Sequence, residues 1–336
     1  MMKKIYGVRM FLMGAVITLA ACSSGQEDME MPQNPVQPEE MVEYSFTDNA
    51  TGTKASVNEK VQAVWDAGDK VTMWIGDSKG TTMPYVFETD KGGENGAVFH
   101  GMVPKSVNSL CYYAFYPEMT KNTRTGKLTF SIPADGTVRQ EEANSSSHLA
   151  AYRAMYAPVV TRTVASTSLT GVHFRQLTSL LVFDIMNMRK DIIDVSEVVV
   201  MASKPVFYEE AAIEPGTEVV AVEQTGEPVN SVALSLGDTD NGVKLEAQNG
   251  RMIAYMPIVP SASLQGVNIK LILKVNGQEM ASLVVSAEDL MAARVTSFER
   301  EKFYMFYLDV LTSEIYWDAN KSIADWENGG VIDIPV

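Results

Sequence analysis

The sequence predicts an all-β protein of two antiparallel β-sandwich domains, carried behind an export leader and a tether expected to stay disordered. Three observations predict it. Short runs rich in β-branched and aromatic residues recur along the chain and end in polar or Gly-containing turns. Asn-Gly pairs at 95–96, 241–242, 249–250, 276–277 and 328–329 punctuate the same stretch, and this dipeptide favours the positive φ angles of a type I′ hairpin turn. Helical periodicity is scarce, Ala287 to Ala293 being the best short candidate.

The leader comes first. Lys3, Lys4 and Arg9 form a positive n-region, Met10 to Ala21 an apolar stretch too short to span a bilayer, and Leu19-Ala20-Ala21-Cys22 a lipobox. Residues 1–21 are therefore expected to be a signal peptide. Cys22 is the residue expected to carry lipid and tie the protein to the outer membrane, since two or more acyl chains supply stable anchoring. From Ser23 to Thr53 there is no Lys or Arg, acidic residues dominate, and Pro32, Pro35 and Pro38 recur. Such a stretch cannot bury enough apolar surface to offset its ordering entropy, so 22–43 reads as a tether.

Residues 44–160 and 161–336 are taken as the two sandwiches, with the boundary placed in the Ser/Thr-rich stretch Pro158 to Thr170. In the first, Val71 to Ile75 and Leu128 to Ile132 are strand-like. In the second, Leu177 to Ile185 is a long apolar strand. Apolar residues at 269, 271, 273 and 275, followed by Asn276-Gly277, predict a hairpin. With Cys22 lipidated, Cys111 has no disulfide partner and reads as a small buried hydrophobe.

The net charge of −15, with 42 acidic against 27 basic residues, leaves no basic footprint for nucleic acid. Gly76-Asp77-Ser78-Lys79-Gly80 matches the Gly-x-Ser-x-Gly nucleophile pattern, but that motif needs a helix next and a strand-like run follows, so a hairpin loop is expected. His100, His148 and His173 lack metal-ligand spacing, and a packed or capping role is expected for His173. Glu141-Glu142 and Glu209-Glu210 read as solvated faces. Trp65, Trp74, Tyr112, Tyr113, Phe115 and Tyr116 could form a sugar-stacking platform, though in strands such residues are more often core. No catalysis, metal or cofactor is expected.

Several segments resemble the Bacteroidetes fimbrillins, subunits of type V fimbriae. Trp65-Asp66-Ala67-Gly68-Asp69 resembles the Trp-x-x-Gly-Asp opening of that family's first domain, His173-Phe174-Arg175-Gln176-Leu177 its histidine-led strand, and Ile323-Ala324-Asp325-Trp326 its closing signature. The resemblance implies two transthyretin-like or immunoglobulin-like Greek-key sandwiches in a surface lipoprotein. Such a subunit polymerises head to tail with other fimbrial subunits, or binds a host or bacterial surface ligand. It also implies protease removal of an N-terminal strand, with Lys54, the first cation after Cys22, as the candidate site where the family favours arginine. The apolar alternation of Ile332, Ile334 and Val336 makes the C-terminal tail either the candidate donor strand or an ordinary last strand of the second sandwich. The alternative from another class is a surface glycan-binding lipoprotein beside a nutrient importer.

Overall fold

A computed structural model describes residues 39–48, 56–57, 63–77, 82–92, 97–118, 126–281, 284–292, 294–311, 315–317 and 324–325. The first strands are β1 (Met41–Asp48), β2 (Ser56–Val57), β3 (Ala63–Val64), β4 (Lys70–Gly76), β5 (Thr82–Thr89), β6 (Ala97–Pro104) and β7 (Cys111–Tyr116). After them come β8 (Leu128–Ser131), β9 (Asp135–Gln140), a 3₁₀ turn at Ser147–Ala151, β10 (Met155–Thr161), β11 (Ser168–Leu169) and β12 (Arg175–Gln176).

Eight of these strands form one sheet in the order β11-β1-β6-β5-β4-β7-β10-β12. Alternation decides its inner face: in β6, Ala97, Phe99, Gly101 and Val103 point inward while Val98, His100 and Met102 point out. Residues from both ends of the sheet, Phe46 of β1 and Met155 of β10 among them, share one buried cluster, so the sheet rolls around its own core. Pro158, which cannot donate to a ladder, sits where the β10–β7 register shifts.

The rest of the chain supplies β13 (Ser179–Asn187), β14 (Ile193–Ala202), β15 (Glu210–Ile213), β16 (Glu223–Thr225), β17 (Ser231–Leu236), β18 (Val243–Leu245) and β19 (Gly250–Ile258). It ends with β20 (Ile269–Val275), β21 (Gln278–Ala281), a short helix α1 (Ala287–Ala292), β22 (Lys302–Val310), β23 (Ile315–Trp317) and β24 (Ala324–Asp325). Two sheets face each other here, one ordered β19-β13-β22-β23 and the other β21-β20-β14-β17-β9. Their inner faces meet in one core, into which β13 and β22 of the first sheet send the stacked pair Phe183 and Phe306, 5.2 Å apart. Strand β13 is buried on both faces, because Leu149 of the 3₁₀ turn covers its outer side beside Leu180 and Val182. A near-continuous apolar run is what that position requires.

The protein is thus all-β and sandwich-type, with one refinement. Three pairings among the described residues are parallel: β1 with β11, β17 with β9, and β13 with β22. Parallel neighbours need a long crossover, and face-by-face periodicity carries no information about which neighbour a strand takes. A small sheet, β16-β15-β8, covers the outer face of the rolled sheet through Leu128, Ile213 and Val220 packed on Phe115 and Tyr156. The hairpin β20–β21 forms as expected, with Asn276 at φ 50° and Gly277 at φ 74°. At 249–250 the left-handed residues are instead Gln248 and Asn249.

Candidate functional site

The Trp-x-x-Gly-Asp segment is a structural knot on the inner side of the rolled sheet. Trp65 is fully buried and meets Phe99, Tyr116 and Phe174 edge-on at centroid distances of 5.0, 5.2 and 5.4 Å. Asp66 to Asp69 make a tight turn: the Asp69 N–H donates to the Asp66 carbonyl at 3.1 Å, and the Asp66 N–H donates to Asp69 Oδ2 at 2.8 Å. Gly68 holds φ at 87°, a conformation costly for any residue with a Cβ. Its N–H donates to the Thr89 carbonyl at 2.7 Å, which fastens the turn to β5.

The Tyr116 hydroxyl donates toward Asp69 Oδ1 at 3.1 Å. Burial pushes the Asp69 carboxyl above its ordinary pKa, against the bonds from the Asp66 N–H and Tyr116. Burial likewise raises the Tyr116 phenol, and the neighbouring Asp69 adds to it. Arg153 is wholly buried nearby; burial pushes its guanidinium down to about 9, against the pull of Tyr116, Asp69 and Asp66. It stays a cation at neutral pH. A buried cation of this kind is costly unless opposite charge lies near it.

Strand β1 sits directly against this knot. All eight of its residues register with β6, whereas only Ser45 and Phe46 register with β11 on the other side. Tyr44 lies opposite Gly101, Phe46 opposite Phe99 and Asp48 opposite Ala97. Phe46 stacks on Phe99 at 4.9 Å, and the missing side chain of Gly101 leaves the space that the Phe87 ring fills. The last inward residue is polar: Asp48, fully buried, accepts a hydrogen bond from Trp65 Nε1 at 2.9 Å. Outside, Glu43 pairs with His100 at 3.0 Å and Glu40 with Lys105 at 2.9 Å; exposed pairs of this kind contribute little.

The structure joins two of the segments singled out in the sequence, since Trp65 of one packs on Phe174 of the other. His173 is not the packed residue: it is exposed, because Val172, Phe174 and Gln176 take the inward alternation. Cys111 is buried as expected. Cys22, Lys54, Trp326, Ile332, Ile334 and Val336 lie outside the described residues. Strand β24 places the backbone of Ala324 and Asp325 beside Phe303 and Lys302 of the closing strand β22. Asp48, Arg153 and Gly92, where a Cβ would lie 1.9 Å from the Trp65 carbonyl oxygen, were not foreseen. The signal for Asp48 was a single carboxylate continuing the Tyr44–Phe46 alternation.

Other chemistry is sparse. Register pairs Gly76 with Thr82, so the Gly-x-Ser-x-Gly stretch joins two strands of a hairpin rather than a strand and a helix. Of the six aromatics considered for sugar stacking, four are buried, and Trp74 and Tyr113 stack on each other at 5.4 Å. A surface cavity of about 620 Å³ is lined by Gln224, Ser261 and Phe298, but its charges are committed to the pairs Arg300–Glu301 and Lys302–Glu299. No group of acidic, His or Cys side chains among the described residues is arranged to hold a metal.

His148 provides a measurable pH dependence. Its Nε2–H donates to the Tyr255 carbonyl at 2.7 Å, Nδ1 is buried, and burial lowers its pKa. A pKa lower in the folded form than in the unfolded one gives stability that is present above the unfolded pKa of about 6.5 and lost as the pH falls below it. The melting temperature should drop between pH 7.5 and 5. His148→Gln, which retains a donor for Tyr255, should show a drop smaller by a few degrees; parallel pH profiles of the two proteins would reject the assignment.

No family model matches the chain, and no curated protein matches it. Solved structures do. A candidate cell adhesion protein of Bacteroides uniformis aligns with a TM-score of 0.54 at 16% identity, covering 87% of this chain and 100% of that one. A second, from Bacteroides ovatus, gives 0.52 at 12% identity over 86% and 99%. The chain has their fold. The C-terminally truncated tip fimbrial protein Mfa3 of Porphyromonas gingivalis aligns more loosely, with a TM-score of 0.44 at 10% identity over 85% and 100%, and carries no weight. No helix among the described residues is long and apolar enough to cross a membrane.

Proposed function

We propose that this chain is a structural subunit of a cell-surface fimbria, held at the outer membrane through lipid on Cys22 and assembled by exchange of its first strand. The observation that carries this reading is the seating of β1. It pairs along its whole length with β6 and through only two residues with β11, so it can leave without breaking any other strand pairing. Cleavage after Lys54 would separate it from the turn at Trp65. Its departure would expose the N–H and C=O groups of β6 above a slot that had held Tyr44 and Phe46. A strand from the next subunit can fill that slot by β-augmentation, and a contact of this head-to-tail kind grows an open filament. The alternating Ile332, Ile334 and Val336 are the donor proposed for this chain.

The test is N-terminal sequencing and mass spectrometry of the protein recovered from intact cells. Two forms are expected: a membrane-held precursor acylated on Cys22, and an assembled form that begins between Ala55 and Trp65 and runs as a ladder on unboiled denaturing gels. Assembled material beginning at Cys22 rules out strand exchange at β1. An unmodified Cys22 in the precursor rules out the lipid anchor.

A further inference from the structure

We infer that the strand slot beside β6 selects its occupant by a hydrogen bond as well as by shape: Trp65 demands an acceptor at the position now held by Asp48. The inference rests on the strand-exchange reading above and adds to it the chemistry of the partner. Of the three buried inward places of the slot, two are apolar, filled by Tyr44 and Phe46 over Gly101 and Phe99, with the partly buried Val42 packed beyond them. The third is different. There the indole N–H, on a side chain only 1% exposed, meets a carboxylate that is 0% exposed, at 2.9 Å.

When another strand takes the place of β1, that N–H is enclosed again. Phe99, Tyr116 and Phe174 hold the ring from its other sides, so it cannot swing out to water without breaking three aromatic contacts. A buried donor left without a partner costs its full desolvation penalty, whereas an apolar occupant of similar shape would be accepted readily were the donor absent. The partner that fits is therefore a strand from a neighbouring polypeptide with large apolar side chains at two alternate positions and a carboxylate or amide at the third; this chain's own Ile332, Ile334 and Val336 are apolar at all three, so the slot takes its strand from a subunit of different sequence and the tail serves the slot of another. Register is fixed by the same bond. A slip of two residues would keep the faces and still place an apolar group against the indole, so the acceptor distinguishes registers that alternation alone leaves equal.

The test uses the full chain carrying a protease site built into residues 49–55, cut once and left folded, with fluorescein-labelled peptides of residues 39–50 as probes. The wild-type peptide and its Asp48→Asn form should bind within about threefold of each other, and the Asp48→Leu form at least about tenfold more weakly. In a Trp65→Phe chain the order should invert, the Asp48→Leu peptide binding as well as wild type or better. Equal binding of wild-type and Asp48→Leu peptides to the cut Trp65 chain overturns the inference. If no peptide enters, wild type included, the exchange reading itself falls, and the melting temperatures of uncut variants decide the acceptor rule. Asp48→Asn near wild type with Asp48→Leu well below it supports the rule for β1 alone; Asp48→Leu melting with wild type overturns it.

Discussion

Replacing Trp65 with alanine should lower the folding stability by about 4 kcal/mol, within the range for emptying a large aromatic site in a packed core. In a chain of 336 residues that is roughly a 6 °C fall in melting temperature. The removed ring is the common neighbour of Phe99, Tyr116 and Phe174, residues drawn from β6, β7 and the approach to β12, so the cavity opens where three segments converge. Asp48 would lose the indole donor at the same time. Trp74→Ala is the control: its ring is half-buried against Tyr113, and its loss should cost less than half as much. Thermal or urea denaturation of the three proteins measures the difference. A cost for Trp65→Ala no greater than for Trp74→Ala would remove the anchor role assigned to the motif.

Gly101→Val should be nearly as damaging, by about 3 kcal/mol, at the upper end of ordinary overpacking. A Cβ at this position would lie 2.6 Å from Cδ2 of Phe87 and 2.7 Å from the Val86 carbonyl oxygen. The ring is locked in the core and the carbonyl belongs to the neighbouring strand, so neither can yield cheaply. Because Gly101 faces Tyr44, the strain falls on the slot for β1, and protease sensitivity of the segment after Asp48 should rise before the rest of the chain unfolds. Val98→Ala, on the exposed face of the same strand, should change stability by less than about 0.5 kcal/mol. Limited proteolysis beside calorimetry separates these outcomes. A Gly101→Val protein with wild-type melting and wild-type digestion would mean that the slot is looser than its contacts indicate.

What could be read in advance followed from local rules. The Asn276-Gly277 hairpin and the doubly buried run around Leu180 were legible because turn chemistry and burial pattern are written in neighbouring residues. Trp65 as an anchor was legible from size and apolarity, and Gly68-Asp69 as a turn from residue type. Asp48 was not, because a lone carboxylate after Phe46 looks solvated until the indole that holds it, seventeen positions along, is known to be opposite. Arg153 was hidden for the same reason: its charge reads as surface, and the Asp69–Tyr116 junction that balances it is assembled from distant strands. The parallel neighbours of β1, β9 and β22 were beyond reach, since alternation fixes which face a side chain takes and is silent on which strand lies beside it.

The β13–β22 pairing also sets a schedule. Leu180 has to find Phe303 and Asn187 has to find Val310, with most of the second sandwich lying between them in the chain. During synthesis β13 therefore emerges long before the neighbour that covers one whole edge of it, and contacts of such separation form slowly. Until β22 arrives, Leu181, Phe183 and Ile185 have only a partial roof. The centre of the β19-β13-β22-β23 sheet is therefore incomplete until β22 arrives, after every strand of the sheet that faces it has already been made.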